Sequence, residues 1–154
     1  MKPLPILSPI LAALAPIPAL VLAAALFVPP AGAQAAGAAK LALTVTDITD
    51  AKGALMIAVY DQAGYDADKP VAQAAIPVTG QTAAYSFDGL KPGKYGIKMF
   101  HDVDGDGQLG TNPFGMPVEP YAFSNNAKGQ FGPASWQDAA FDVEGATSHS
   151  IKLN

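Results

Sequence analysis

The chain of 154 residues contains no cysteine and no arginine, two histidines and a single tryptophan. Without cysteine there is no disulfide framework and no thiolate metal site, so the fold has to stand on a hydrophobic core, with or without help from an ion. Without arginine there are no guanidinium forks to grip phosphates or read bases. Lys2 is the only charge before Lys40, and beyond it eight lysines face thirteen acids, 8 − 13 = −5. An acidic surface with few cations cannot displace counterions from a polyanion, which excludes nucleic acid as a partner. Long helical patterns are absent after residue 40 as well. What remains is a chain rich in short alternating segments, with 15 glycines and 14 prolines.

The N-terminus is different in kind. Met1 and Lys2 precede an apolar run from Leu4 to Val28, followed by Pro29-Pro30-Ala31-Gly32-Ala33-Gln34. The small residues fit an A-x-A cleavage site, so residues 1–33 read as a secretory signal peptide, cut after Ala33 or after Ala35. A retained membrane anchor is the alternative, because the run approaches the roughly 20 residues a spanning helix needs. Pro5, Pro9, Pro16 and Pro18 interrupt such a helix and favour cleavage. Residues 34–39 form a flexible lead-in, residues 40–154 form one domain, and the expected location is periplasmic or secreted, with no membrane span after cleavage.

From Lys40 the apolar residues recur at every second position. Leu41, Leu43 and Val45 share one strand face, and Leu55, Ile57 and Val59 another. A weaker strand covers Val71 to Val78, where Pro77 implies a sheet edge. Ala83, Tyr85 and Phe87 lead into Leu90-Lys91-Pro92-Gly93-Lys94-Tyr95. There proline presets φ and glycine supplies a positive φ, the pattern of a type II turn. Tyr95, Ile97, Met99 and His101 then alternate with Gly96, Lys98 and Phe100 along a long strand ending at Asp102. Two further strands fit Ala139 to Val143 and His149 to Leu153. About seven strands at a spacing of roughly 8 to 12 residues, with no helix, predict an all-β antiparallel Greek-key sandwich. The stretch from Thr111 to Gln137, about 25 residues long, exceeds a normal connection. Its aromatics predict a long loop packed on the sandwich.

Three groups of residues carry candidate chemistry. Asp102, Asp104 and Asp106 alternate with Gly105 and Gly107 and precede Gln108 and Leu109, matching the opening positions of a calcium loop. Three carboxylates and a Gln108 carbonyl make a hard-oxygen set for Ca2+. Pro113 stands where such a loop carries its bidentate glutamate, so Glu119 or Asp138 would have to fold back to complete the site. The other reading is a glycine-rich turn whose aspartates cap their own backbone. A second group, Tyr121, Phe123, Asn125, Asn126 and Trp136, combines rings with amides. Exposed, it would suit a carbohydrate or peptide partner in the cell envelope, and buried, it is a self-packed loop. Thirdly, His101 beside Asp102 allows a metal-dependent hydrolase, against the plainer reading of a strand-end histidine. Ser148, His149 and Ser150 do not form a nucleophilic set, since neighbours on a strand point to opposite faces.

Phe87-Asp88-Gly89-Leu90-Lys91-Pro92-Gly93-Lys94-Tyr95 resembles the signature of transthyretin-like (prealbumin-like) and carboxypeptidase-regulatory-like sandwich domains, which implies that fold and little about activity. Phe100-His101-Asp102 through Leu109, Gly115-Met116-Pro117, Tyr121 through Ala127, and Phe131 through Phe141 resemble a family of small exported bacterial proteins, domain of unknown function 2141. The likeness spans about Leu43 to Leu153 and implies an exported sandwich without supplying an activity. One departure is Gly110, where such proteins often carry an acidic residue that would be a further ion ligand. Together these readings predict an exported, non-enzymatic binding or envelope-structural module with a calcium-stabilised loop. The alternatives are the hydrolase and a small-ligand or carbohydrate carrier.

Overall fold

The computed structural model describes residues 37–153, so the signal peptide expected at residues 1–33 and the start of the lead-in lie outside the described residues. The chain is an all-β sandwich of two sheets. Strands β1 (Ala39–Thr46), β4 (Ala83–Leu90) and β8 (Ala146–Lys152) form one sheet in the order β4-β1-β8. Strands β2 (Ala54–Tyr60), β3 (Ala72–Pro77), β5 (Gly93–Asp102) and β6 (Tyr121–Phe123) form the other in the order β3-β2-β5-β6, and β7 (Phe141–Val143) also pairs with β5. Among the described residues no helix is long and apolar enough to cross a membrane.

The alternation of the sequence becomes the inter-sheet core. Leu41, Leu43 and Val45 from β1 meet Leu55, Ile57 and Val59 from β2, with Ile97, Val143 and Ile151 completing a cluster in which each is almost wholly buried. Truncating any one of the large members would cost about 2–5 kcal/mol. β3 lies at the sheet edge, where Pro77 removes no ladder hydrogen bond from a second neighbour.

Four details differ from the sequence reading. β8 runs parallel to β1, with Leu43 opposite His149, whereas the other pairs are antiparallel. The turn glycine with positive φ is Gly89 (φ 82), not Gly93. Gly89 is the extra residue where the β1–β4 register shifts between Ala39 and Lys40. The bulge bends β4 so that the chain passes from one sheet to the other instead of closing a hairpin. Tyr95 secures this crossover, its hydroxyl donating to the Lys91 carbonyl at 2.7 Å.

The other two differences concern short elements. Two helices of four residues occur where none was expected: α1 (Gln62–Tyr65), capped by Asp61, and α2 (Trp136–Ala139), capped by Ser135. They carry Tyr65 and Trp136 onto the outer side of β5, whose Gly96 admits them. A Cβ at Gly96 would lie 2.8 Å from the Tyr65 ring and 3.2 Å from Trp136. Finally, the aperiodic stretch contains β6, which is too short to show a period. β6 and β7 share one edge of β5, and between them the buried Ser124 hydroxyl accepts the Ile97 N–H at 2.8 Å and donates to the Ala139 carbonyl.

Candidate functional site: the acidic loop and its surroundings

β5 delivers Asp102 to the rim of the larger sheet, next to the turn between β1 and β2. Gly53 (φ 66) allows that turn to approach, since a Cβ there would collide with the Asp102 carbonyl. Asp102 is only 4 % exposed. Its Oδ1 accepts the N–H groups of Gly105 at 2.7 Å and Asp106 at 3.2 Å, and its Oδ2 accepts that of Gly107 at 3.0 Å. Asp104 Oδ1 accepts from Asp106 N–H at 3.3 Å, and Asp106 Oδ1 from Gln108 N–H at 2.7 Å. The positive φ of Gly105 (80°) and Gly107 (79°) lets the backbone wrap around the first carboxylate.

Glu119 folds back to the loop. Its Oε1 accepts the Val103 N–H at 2.8 Å and its Oε2 the Gly110 N–H at 2.9 Å, so one carboxylate spans both ends of the acidic turn. Gly110, the position of the departure noted above, packs against this clamp: a Cβ there would come within 3.2 Å of Val118 and 3.4 Å of the Glu119 carboxylate. Between the clamped ends and Glu119 lies a small hairpin. Thr111 bridges to Pro117, and the Asn112 side chain accepts the N–H groups of Phe114 and Met116. Asp138 does not join the loop; it accepts the Ser135 hydroxyl beside α2 at 2.7 Å.

Asp102, Asp104 and Asp106 each present a carboxylate oxygen within 4.8 Å of the others. Among the described residues, Asp104 and Asp106 each keep one oxygen without a donor. The ion pairs among the described residues are Lys40–Asp88, Lys94–Asp142 and Lys98–Asp68, so neither these aspartates nor Glu119 has a lysine partner. The groups that the structure brings together for a cation are therefore the three aspartates. This all-oxygen, anionic set matches the preference of Ca2+ over softer metals. The aspartates do cap their own backbone, as the turn reading requires.

His101 stands apart from this chemistry. It is fully buried on the inter-sheet side of β5, with Ile97 and Met99, while Asp102 emerges on the opposite side. Its Nε2 lies 2.7 Å from the Lys52 carbonyl, which can only accept, so Nε2 carries the proton, and Nδ1 has no partner among the described residues. A hydrolase would need His101 with the loop aspartates around one cleft, whereas His101 faces the inter-sheet core.

The second group of candidate residues is divided. Trp136 and Phe123 are buried. The Asn125 amide donates to the carbonyls of Asp138 and Ala140, and Asn126 Oδ1 accepts the Lys152 N–H, at positive φ values of 59 and 52. These asparagines satisfy turn backbone, and Tyr121 is the exposed ring of the set. Large exposed apolar side chains come instead from Phe114, Met116, Val118 and Phe131, of which Phe114 is 90 % exposed.

A cluster absent from the sequence reading lies on the outer side of the larger sheet. Lys98 Nζ donates to the Tyr65 carbonyl at 2.7 Å and to Asp68 at 3.2 Å, and the Tyr60 hydroxyl donates to the same Asp68 oxygen at 2.8 Å. The Tyr60 hydroxyl and Lys98 hold Asp68 below the usual carboxylate range, and burial pushes Tyr65 up to about 12. The only local signal was that Met56, Ala58 and Phe100, on the outward positions of β2 and β5, are as apolar as the inward ones.

The fold and the loop define a class: a β-sandwich with a self-capped acidic loop at one sheet rim. Within that class, a family model described as "Uncharacterized protein conserved in bacteria (DUF2141)" matches residues 43–151, and the chain belongs to this family. Comparisons with curated proteins and with solved structures give no match.

Proposed function

We propose that this protein is an exported, non-enzymatic β-sandwich module serving binding or structure in the cell envelope, and that its acidic loop takes a calcium ion. The observation that carries the ion is the convergence of oxygens from Asp102, Asp104 and Asp106 within 4.8 Å, with no lysine among the described residues paired to any of them. Crowded carboxylates repel, and a divalent cation relieves that repulsion. The ion's role is structural. By drawing Asp104 and Asp106 onto Asp102 it fixes the turn that Glu119 clamps, and through Glu119 the hairpin that follows. Export rests on the apolar run and small-residue site within residues 1–35.

Thermal unfolding of the purified protein in excess calcium and in chelator tests the ion. At a hundredfold excess over the dissociation constant, binding adds about 2.7 kcal/mol of stability. The melting temperature then rises by roughly 5 °C or more. Asp104→Ala abolishes the difference. Equal melting temperatures in calcium and chelator reject the ion and leave the loop as a capped turn. N-terminal sequencing of protein recovered from the periplasm or medium checks export, the expected first residue being Gln34 or Ala36.

A further inference from the structure

The outward side of a sandwich sheet is ordinarily polar. The three-stranded sheet follows that rule, with Lys40, Thr44 and Thr46 outward on β1 and Ser148, Ser150 and Lys152 outward on β8. The larger sheet breaks it. Its registers place Ala75, Met56, Phe100 and Tyr121 in one row across β3, β2, β5 and β6, on the side opposite to buried Leu55, Ile57 and Met99. In the next row, Gln73, Ala58, Lys98 and Phe123, Ala58 and Phe123 flank Lys98, the one charged residue in either row.

This side is not an open surface. Gly107, Leu109 and Pro133 border it, leaving a groove of about 600 Å³ over Met56 and Phe100. That volume suits a small molecule. A second groove of about 750 Å³, walled by Phe114, Met116 and Phe131, adjoins it across Leu109, Tyr121, Phe123 and Pro133. Lys98 also lines the first groove, its Nζ 4.6 Å and 4.7 Å from the ring centroids of Tyr60 and Tyr65. Two of its three N–H groups go to the Tyr65 carbonyl and Asp68, leaving one without an acceptor among the described residues. The Lys98 side chain is 20 % exposed and that of its partner Asp68 76 % exposed, and both line the groove, the cation in its wall and the carboxylate at its open rim.

We propose that this groove binds a small anionic amphiphile, its alkyl chain lying over Met56, Phe100 and Tyr121 and its carboxylate meeting Lys98. The row of Ala75, Met56, Phe100 and Tyr121 defines the body of the ligand and the remaining ammonium N–H of Lys98 its head. A chain long enough to pass Tyr121 continues into the second groove. The site goes beyond the module reading and does not require the calcium ion.

Titration with dodecanoate, below its critical micelle concentration and in excess chelator, followed by amide NMR, tests the proposal. The expected result is saturable, single-site shifts at Met56, Ala58 and Phe100. Ala75→Trp, which fills the groove from an exposed position on the edge strand, should weaken binding about tenfold or more. Lys98→Gln should weaken dodecanoate by about tenfold while leaving dodecanol unchanged. Shifts that never saturate, or that centre on Phe114 and Met116 and survive Ala75→Trp, overturn the site. Equal binding of dodecanoate and dodecanol, unaffected by Lys98→Gln, overturns the anionic head. Because chelator is present throughout, failure here is separate from failure of the calcium reading.

Discussion

The backbone N–H of Asn125 donates to Nε2 of His149 at 3.2 Å, tying the 3-10 turn at Ser124–Asn126 to β8. An amide nitrogen can only donate, so His149 must offer a lone pair at Nε2 and is neutral in the folded state. Its ring also stacks on Phe141, with centroids 3.9 Å apart and planes 16° from parallel.

The first prediction concerns pH. Burial lowers the His149 pKa below its ordinary value. Around it β1 presents Leu43, β7 presents Phe141 and the 3-10 turn presents Asn125, none of them charged. Nearby Asp138 and Asp142 are engaged by Ser135 and Lys94. Below about pH 6.5 the unfolded chain therefore binds more protons at this residue than the folded one. Its contribution to stability is complete above that pH and is lost as pH falls through the lowered value. Asp68, also lowered, acts at more acidic pH. Urea midpoints between about pH 5 and 7 should fall towards acid in the wild type and be flatter in His149→Phe. Identical slopes would remove His149 as the cause.

Glu119→Ala should lower stability by about 1–3 kcal/mol, because it leaves the N–H groups of Val103 and Gly110 without acceptors. Hydrogen exchange should accelerate at those two amides, and Glu119→Gln, which keeps one oxygen, should be intermediate. Unchanged exchange at both positions would mean that the carboxylate is not the clamp.

Ser124→Ala removes the group that fills the gap between β6 and β7 on the edge of β5. The Ile97 N–H and the Ala139 carbonyl are both left unpaired in a buried place. A loss of about 1–3 kcal/mol in chemical denaturation is expected, larger than for a surface serine such as Ser148.

Gly96→Ala should destabilise by about 1–3 kcal/mol, since the added methyl lies 2.8 Å from the Tyr65 ring, which is itself packed on Trp136. Fluorescence of the single tryptophan should shift as the cluster opens. A variant as stable as the wild type with unchanged emission would show that the two rings can give way without cost.

The strands that were legible in advance are those with one side in the core. Leu41, Leu43 and Val45, and Leu55, Ile57 and Val59, alternate because one side of each strand is dry and the other wet. β6 carries only Tyr121–Phe123, and β7 only Phe141–Val143, too few residues for a period of two to stand out. α1 and α2 each make a single turn, so no helical period could appear either. At the candidate site, the spacing of Asp102, Asp104 and Asp106 with Gly105 and Gly107 was readable because those residues cap one another locally. Glu119 was one of two acids that could return to the loop. The sequence could not rank it above Asp138, since the choice depends on the path of the hairpin between them.

What the sequence by itself determined is local: the two-residue alternation that assigns each strand an inner side, the glycines that let the acidic turn close, and the caps within it, all set by residues a few positions apart. Tertiary structure decided the parallel pairing of β1 with β8, the clamp from Glu119 across 16 residues to Val103, the bond from Tyr65 across 69 residues to Ala134, and the groove over Met56 and Phe100. Those depend on which surfaces meet when the core is buried. A strand's own pattern says which side turns from water, and only the packed sheets say what stands opposite it.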